Sequence, residues 1–292
     1  PDFWEPQSQL SPLSWLPDGT GILHWGTTGV ETLLEGEEYS IHGFGPGSYK
    51  VTPDGAHYNI FLRERPKGRV IGRVTFDASG KQYAFETARL VPAFGFSDRE
   101  VFVRLTPEKE PVALKLPVEA KGLMNPLWEP GSNRLAVDYI DDQNRRHCLV
   151  GGLNSGAQWQ HVPALVEQWS KDRWECTAGV AWAPSGERLL VKAFPLGRTH
   201  EFVHVIHFPP DGDPVQEYNV AGGPFTKLQM RWSPDGKRIA MISTGAREKT
   251  VDYTVVLTVH LADKELADKE ESVAWGRWVQ LPEGLCPVAI DW

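Results

Sequence analysis

One short motif recurs along the chain and restricts its fold more than any other feature. Trp232 opens WSPDGKRIAMIS, Trp182 opens WAPSGERLLVKAF, Trp128 opens WEPGSNRLAVDYI and Trp15 opens WLPDGTGILHW. Weaker copies start at Val51 (VTPDGAHYNIF) and Phe76 (FDASGKQYAF). Each copy is an aromatic or β-branched residue, a Pro-Asp-Gly-like turn and then an apolar run. Proline presets φ, aspartate bonds its own backbone and glycine supplies a positive φ, so the motif predicts two strands joined by a tight hairpin. The intervals from Phe76 to Trp128, Trp182 and Trp232 are 52, 54 and 50 residues. Further β-like runs follow the motifs: EFVHVIHF (201–208) and VQEYNV (215–220) after Trp182, and TVVLTVHL (254–261) and VAWGRWVQL (273–281) after Trp232. Such a period suits one four-stranded blade, of about 40 to 50 residues, with some insertion.

A four-stranded sheet apolar on both faces cannot bury itself alone, whereas sheets stacked around an axis cover one another. The sequence therefore predicts an all-β protein, a β-propeller of four-stranded blades, forming a single domain over residues 1–292. Repeat starts fall near 15, 51 or 76, 128, 182 and 232, and the N-terminal blades are irregular. Six blades fit this spacing best, with five or seven open. The copy at Val51 lies only 25 residues before Phe76, too close for a whole blade, so one of the two is a false start. Trp292, the last residue, stands where another motif would begin or the ring would close. The motif tryptophans are expected between blades.

The segments WSPDGKRIA and WAPSGERLL resemble repeats of the TolB propeller and of the propeller domains in tricorn-type and prolyl oligopeptidase-type peptidases. That resemblance implies a propeller outside the cytoplasm that docks other proteins or screens a neighbouring catalytic domain. No α/β domain like the one that precedes the repeats in TolB is expected here, which puts TolB's own partners in doubt.

The chain has 38 acidic and 30 basic residues, a formal net charge of −8. That balance argues against nucleic-acid binding, which needs a concentrated basic surface. No apolar run approaches the roughly 18 residues of a membrane span. Pro1 is not a translation start, which suggests an upstream signal peptide, anchor or domain. Cys148, Cys176 and Cys286 are too widely spaced for a zinc site or a dense disulfide framework. One bridge at most is expected.

Motifs that would carry chemistry are sparse. The sequence holds no G-x-S-x-G elbow and no G-x-x-x-x-G-K-[ST] loop. GFGPG (43–47) precedes a β-like SYKVT instead of a helix and reads as a turn. His204 and His207 are three apart on one strand, hence on opposite faces, where they cannot share a metal. Asp138, Asp141, Asp142 and Asn144 crowd one hairpin without the order of ligands in a calcium loop. LADKELADKE (261–270) reads as a short solvated helix. No cofactor or metal is expected.

Loops joining second to third strands share one face of such a propeller with the connections between blades. On that face the sequence places Arg145 and Arg146, Arg198 and His200, Arg247 and Lys249, and Phe94 and Phe96. The connection 158–179 adds Trp159, Trp169 and Trp174, with a short helix near Pro163. Trp and Arg are enriched at binding hot spots, so this face is the candidate site for an acidic protein segment or other anionic ligand. The competing reading makes these loops ordinary polar turns and the tryptophans core caps. A non-catalytic binding or sensor module with a protein partner is the leading functional expectation. The alternatives are the accessory propeller of a peptidase, and a hydrolase or lyase using a channel into which His24, His42 and His57 converge.

Overall fold

A computed structural model describes residues 14–15, 22–27, 46–51, 57–59, 69–91, 95–106, 108–154, 157–162, 174–195, 201–209, 212–223, 225–245, 254–260 and 276–280. The described strands form five four-stranded antiparallel sheets, each contiguous in sequence. The chain divides into two compact units, residues 1–114 and 115–292.

The first unit holds two sheets. The first comprises β1 (Ser14–Trp15), β2 (Ile22–Thr27), β3 (Pro46–Val51) and β4 (His57–Asn59). The second comprises β5 (Val70–Phe76), β6 (Tyr83–Val91), β7 (Gly95–Arg104) and β8 (Val112–Ala113). Val51 pairs with His57 across the turn between β3 and β4. The VTPDG copy therefore closes a sheet instead of opening one, and Phe76 is the true repeat start. The strand at Pro46 takes up the end of GFGPG.

The second unit holds three sheets. Sheet three comprises β9 (Gly122–Trp128), β10 (Arg134–Ile140), β11 (Arg146–Gly152) and β12 (Trp159–His161). Sheet four comprises β13 (Trp174–Trp182), β14 (Arg188–Pro195), β15 (Glu201–His207) and β16 (Val215–Gly223). Sheet five comprises β17 (Phe225–Trp232), β18 (Arg238–Gly245), β19 (Thr254–His260) and β20 (Gly276–Gln280). The helices expected near Pro163 and over LADKELADKE, and the strand at Trp292, lie outside the described residues.

The motif aromatics Trp15, Phe76, Trp128, Trp182 and Trp232 all end the first strand of their sheets. Their hairpins carry the predicted positive-φ glycines: Gly80, Gly131, Gly186 and Gly236 have φ between 66° and 76°. The apolar runs after the turn are continuous because a central strand serves two neighbours. Leu189 and Val191 of β14 pack with Leu127, Ala136 and Val150 of sheet three. Leu190, between them, packs with Met230, Trp232 and Ile239 of sheet five.

Trp182 and Trp232 lie between sheets as the motif predicts. Each is 7% exposed. Trp182 Nε1 donates to the Leu127 carbonyl of the preceding sheet at 3.0 Å, and Trp232 Nε1 donates to the Ala181 carbonyl at 3.1 Å. Trp128, 5% exposed, instead donates to Ser132 O of its own hairpin.

Candidate binding face and the charges behind it

The hairpin between β10 and β11 carries two of the candidate cations and the acidic cluster. Asp141 shapes it. Its Oδ1 accepts from the backbone N–H groups of Gln143 and Arg145 at 2.9 and 2.8 Å. Its Oδ2 meets Arg145 Nε at 2.8 Å and His147 Nε2 at 2.9 Å. Burial pushes the Asp141 carboxyl up, but the bonds from His147 and Arg145 outweigh it and bring it down to about 2. Asn144 takes the left-handed conformation of the turn, φ 61°. Lys121 Nζ donates to Asp142 O at 2.6 Å and Asn144 Oδ1 at 3.2 Å.

A carboxylate held lower when folded than unfolded contributes stability above its unfolded value, near 4, and loses it as pH falls through the folded one. Asp141→Asn is therefore expected to be less stable than the parent at pH 7. The gap should narrow between pH 4 and pH 2. Urea midpoints of both proteins across pH 2 to 7 test this, and a gap independent of pH would exclude the ionised Asp141 as its source.

Asp138 sits deeper, on β10, and is fully buried. Oδ2 accepts from Arg146 Nη2 at 2.5 Å and Nε at 3.1 Å, and from Asn125 Nδ2 at 2.7 Å. Oδ1 accepts from the Gly179 N–H of sheet four at 2.9 Å. A register shift between β9 and β10 accompanies Asn125, whose φ is 53°. The bulge aims the Asn125 amide so that Nδ2 also donates to Gly179 O at 2.7 Å. Gly179 is small because a Cβ there would stand 3.0 Å from Leu127 Cδ1 and 3.3 Å from Cys148 Sγ. Burial, and then the Asp138 charge, push the Cys148 thiol well up. Cys148 is free.

The same arrangement recurs in sheet two. Asp138 lies ten residues after Trp128, and Glu86 ten after Phe76. Asp138 pairs in register with Cys148, and Glu86 with Val101. The arginine two residues earlier on the partner strand, Arg146 or Arg99, bonds the acid in each sheet. The arginines remain 30% and 25% exposed while the acids are 0% and 10%. In sheet four the signs exchange in sequence, with Lys192 at the acidic position and Glu201 at the basic one. The signal was present in the sequence as a lone acid inside an apolar strand, RLAVDYI.

The opposite end of sheet three is fastened by Glu129, 1% exposed. It binds Arg134 through both oxygens, accepts from Ser132, and accepts from the Glu187 N–H of the next hairpin at 2.7 Å. Burial raises its carboxyl, yet the bonds from Arg134, Ser132 and Glu187 leave it net lowered.

Arg145 and Arg146 stand side by side at the β10–β11 hairpin, each engaged by an aspartate. Trp159 is not with them. It pairs with Gly151, five residues along β11 from Arg146, or roughly 17 Å at about 3.4 Å per residue. There its ring covers Gly151, where a Cβ would lie 2.3 Å from Trp159 Cδ2. Phe96 lies on β7 opposite Leu90, and Trp174 opens β13 opposite Pro195. Phe94, Trp169, Arg198, His200, Arg247 and Lys249 lie outside the described residues, as does His42. His24 is on β2 and His57 on β4. His204 is buried and His207 half exposed. Among the described residues, no group of three or more His, Cys, Asp or Glu side chains is arranged to hold a metal. No helix there is long and apolar enough to cross a membrane.

No family model and no curated protein matches the sequence. Solved structures do match the fold. A putative TolB from Agrobacterium tumefaciens superposes with TM-score 0.56 at 12% identity, over 93% of this chain and 80% of that one. An oligogalacturonate lyase in complex with manganese gives 0.53 at 14%, over 86% and 64%. TolB from Acinetobacter baumannii gives 0.51 at 12%, over 86% and 52%. This chain thus spans less than two thirds of the lyase and about half of the Acinetobacter TolB. Five four-stranded antiparallel sheets, each contiguous in sequence and similar to those of these structures, make the fold an all-β propeller like that of the TolB structures.

Proposed function

We propose that this chain is a binding module, outside the cytoplasm, that docks a protein partner through the second-to-third-strand hairpins of residues 115–292. The observation behind this is the repeated arginine anchored by a buried carboxylate. Arg146 and Arg99 are each fixed from behind by Asp138 or Glu86 and remain partly exposed in front. A guanidinium pre-oriented in this way loses little freedom on meeting a carboxylate, which it can grip through two parallel hydrogen bonds. The fitting ligand is an acidic segment of a protein. The deeply buried carboxylates hold arginines and backbone groups in place, in keeping with a rigid display surface.

The test uses Arg146→Lys, which keeps a cation beside the buried Asp138 and removes the planar fork. Arg198→Glu with Arg247→Glu probes the neighbouring loops. Affinity capture from the source's cell-envelope fraction, read by mass spectrometry, should yield a protein that the parent retains. Both variants should lose most of it while melting within a few degrees of the parent. Equal retention by the parent and both variants would refute this face as the site.

A further inference from the structure

Strand β12 is three residues long and closes the outer edge of sheet three. Three ladder pairs hold it to β11, with the Val162 N–H bond to Cys148 O at 3.0 Å and Trp159 seated on Gly151. Gln160 Nε2 adds a bond to Gly212 O at 3.1 Å. Its last residue, His161, takes part in a stack of ionisable rings. Tyr139 of β10 lies opposite His147 of β11, their centroids 5.0 Å apart and planes inclined by 28°. His161 meets the same tyrosine edge-on at 6.1 Å and 65°. One phenol ring therefore serves two imidazoles on two strands.

The two imidazoles differ in their surroundings. His147 has Asp141 on its Nε2, so a proton on His147 makes an ion pair. Of the other charged groups around the stack, Arg145 is tied to Asp141, Arg146 is tied to Asp138 on the far face, and Lys121 donates to Asp142 O and Asn144 Oδ1. From β9 the residue facing Tyr139 is Leu123. Among the described residues no salt bridge joins His161 to a carboxylate, and the ionisable side chain that bears on it is His147.

We propose that the Tyr139–His147–His161 stack is an acid-released latch: neutral His161 holds β12 on the sheet, and a positive charge on His161 frees that edge. Burial, and then His147, lower the His161 imidazole below its ordinary value. In a detached strand it returns to about 6.5. A histidine depressed in the closed state gives its stabilisation in full above that open-state value and loses it as pH falls below it. Mildly acidic conditions thus favour the open edge. The latch needs no partner protein and stands apart from the docking proposal.

Hydrogen exchange read by mass spectrometry tests it on the whole chain. Exchange of Gln160, His161 and Val162 at pH 7.5 and 5.0 is corrected for intrinsic chemical rates and referred to Leu189–Val191 of β14. Opening of β12 should rise several-fold at pH 5.0 in the parent. His161→Gln should abolish that rise. An unchanged parent, or a variant that keeps the acid response, would overturn the latch. Because the variant could weaken β12 at every pH, an NMR titration of the His161 ring in the parent gives an independent reading. A midpoint at or above the free-histidine value would also overturn the proposal.

Discussion

Replacing Asp138 by alanine is expected to lower the unfolding free energy by about 3 to 5 kcal/mol, the usual loss when one member of a buried ion pair is removed. The side chain is fully buried and takes bonds from Arg146, Asn125 and the Gly179 N–H. Its removal takes one of two acceptors from the Asn125 amide, which keeps its bond to Gly179 O, and removes the acceptor of the buried Gly179 N–H, a loss of about 1 to 3 kcal/mol for a buried donor. Arg146, 30% exposed, can turn partly to water, which tempers the sum. The double change Asp138→Leu with Arg146→Leu should recover only part of the loss, because the Gly179 N–H still lacks its carboxylate acceptor. Denaturant unfolding of the two variants decides it. A loss below about 1 kcal/mol would show that water replaces the carboxylate.

Trp182→Ala is the other large effect, expected at about 3 to 5 kcal/mol as for other buried aromatic truncations. The indole fills the space between sheets three and four, lies 5.7 Å from the Phe208 ring and carries Arg134 5.9 Å above it. Arg134 is also the partner of Glu129, so the truncation loosens the hairpin fastening as well as the core. Trp182→Phe keeps most of the apolar volume and deletes the bond to Leu127 O, for an expected cost of about 1 kcal/mol for that bond besides the lost ring volume. Equal losses in the two variants would mean that the hydrogen bond, and not the packing, holds the sheets together.

The fold was legible because its turns are chemically loud. An aromatic residue followed within four positions by glycine, with proline between them in all but the Phe76 copy, announces a hairpin, and such a motif stands at the end of the first strand of each of the five described sheets. The same chemistry misled at Val51, since a Pro-Asp-Gly turn says only that two antiparallel strands meet. Nothing local distinguishes the β3–β4 turn from the β1–β2 turn. The arginines were harder to place. Arg145 and Arg146 read as a charged loop tip, yet Arg146 begins β11 and its partner Asp138 lies eight residues earlier on β10. Only the register of β10 against β11 brings Asp138 to it. Trp159 was assigned to the wrong end of the sheet for a related reason: an edge strand's direction decides at which end its first residue stands, and β12 starts beside Gly151.

The acceptors for the indole N–H groups of Trp182 and Trp232 are main-chain carbonyls, at Leu127 and Ala181. Every amino acid supplies that carbonyl, so the joint between sheets asks nothing of the neighbour's side chains at that point. A blade bearing the tryptophan can be set beside another of unrelated sequence and still find its socket. Such a coupling is indifferent to its mate, which leaves the hairpins at the other end of the blades to diversify without renegotiating the joints.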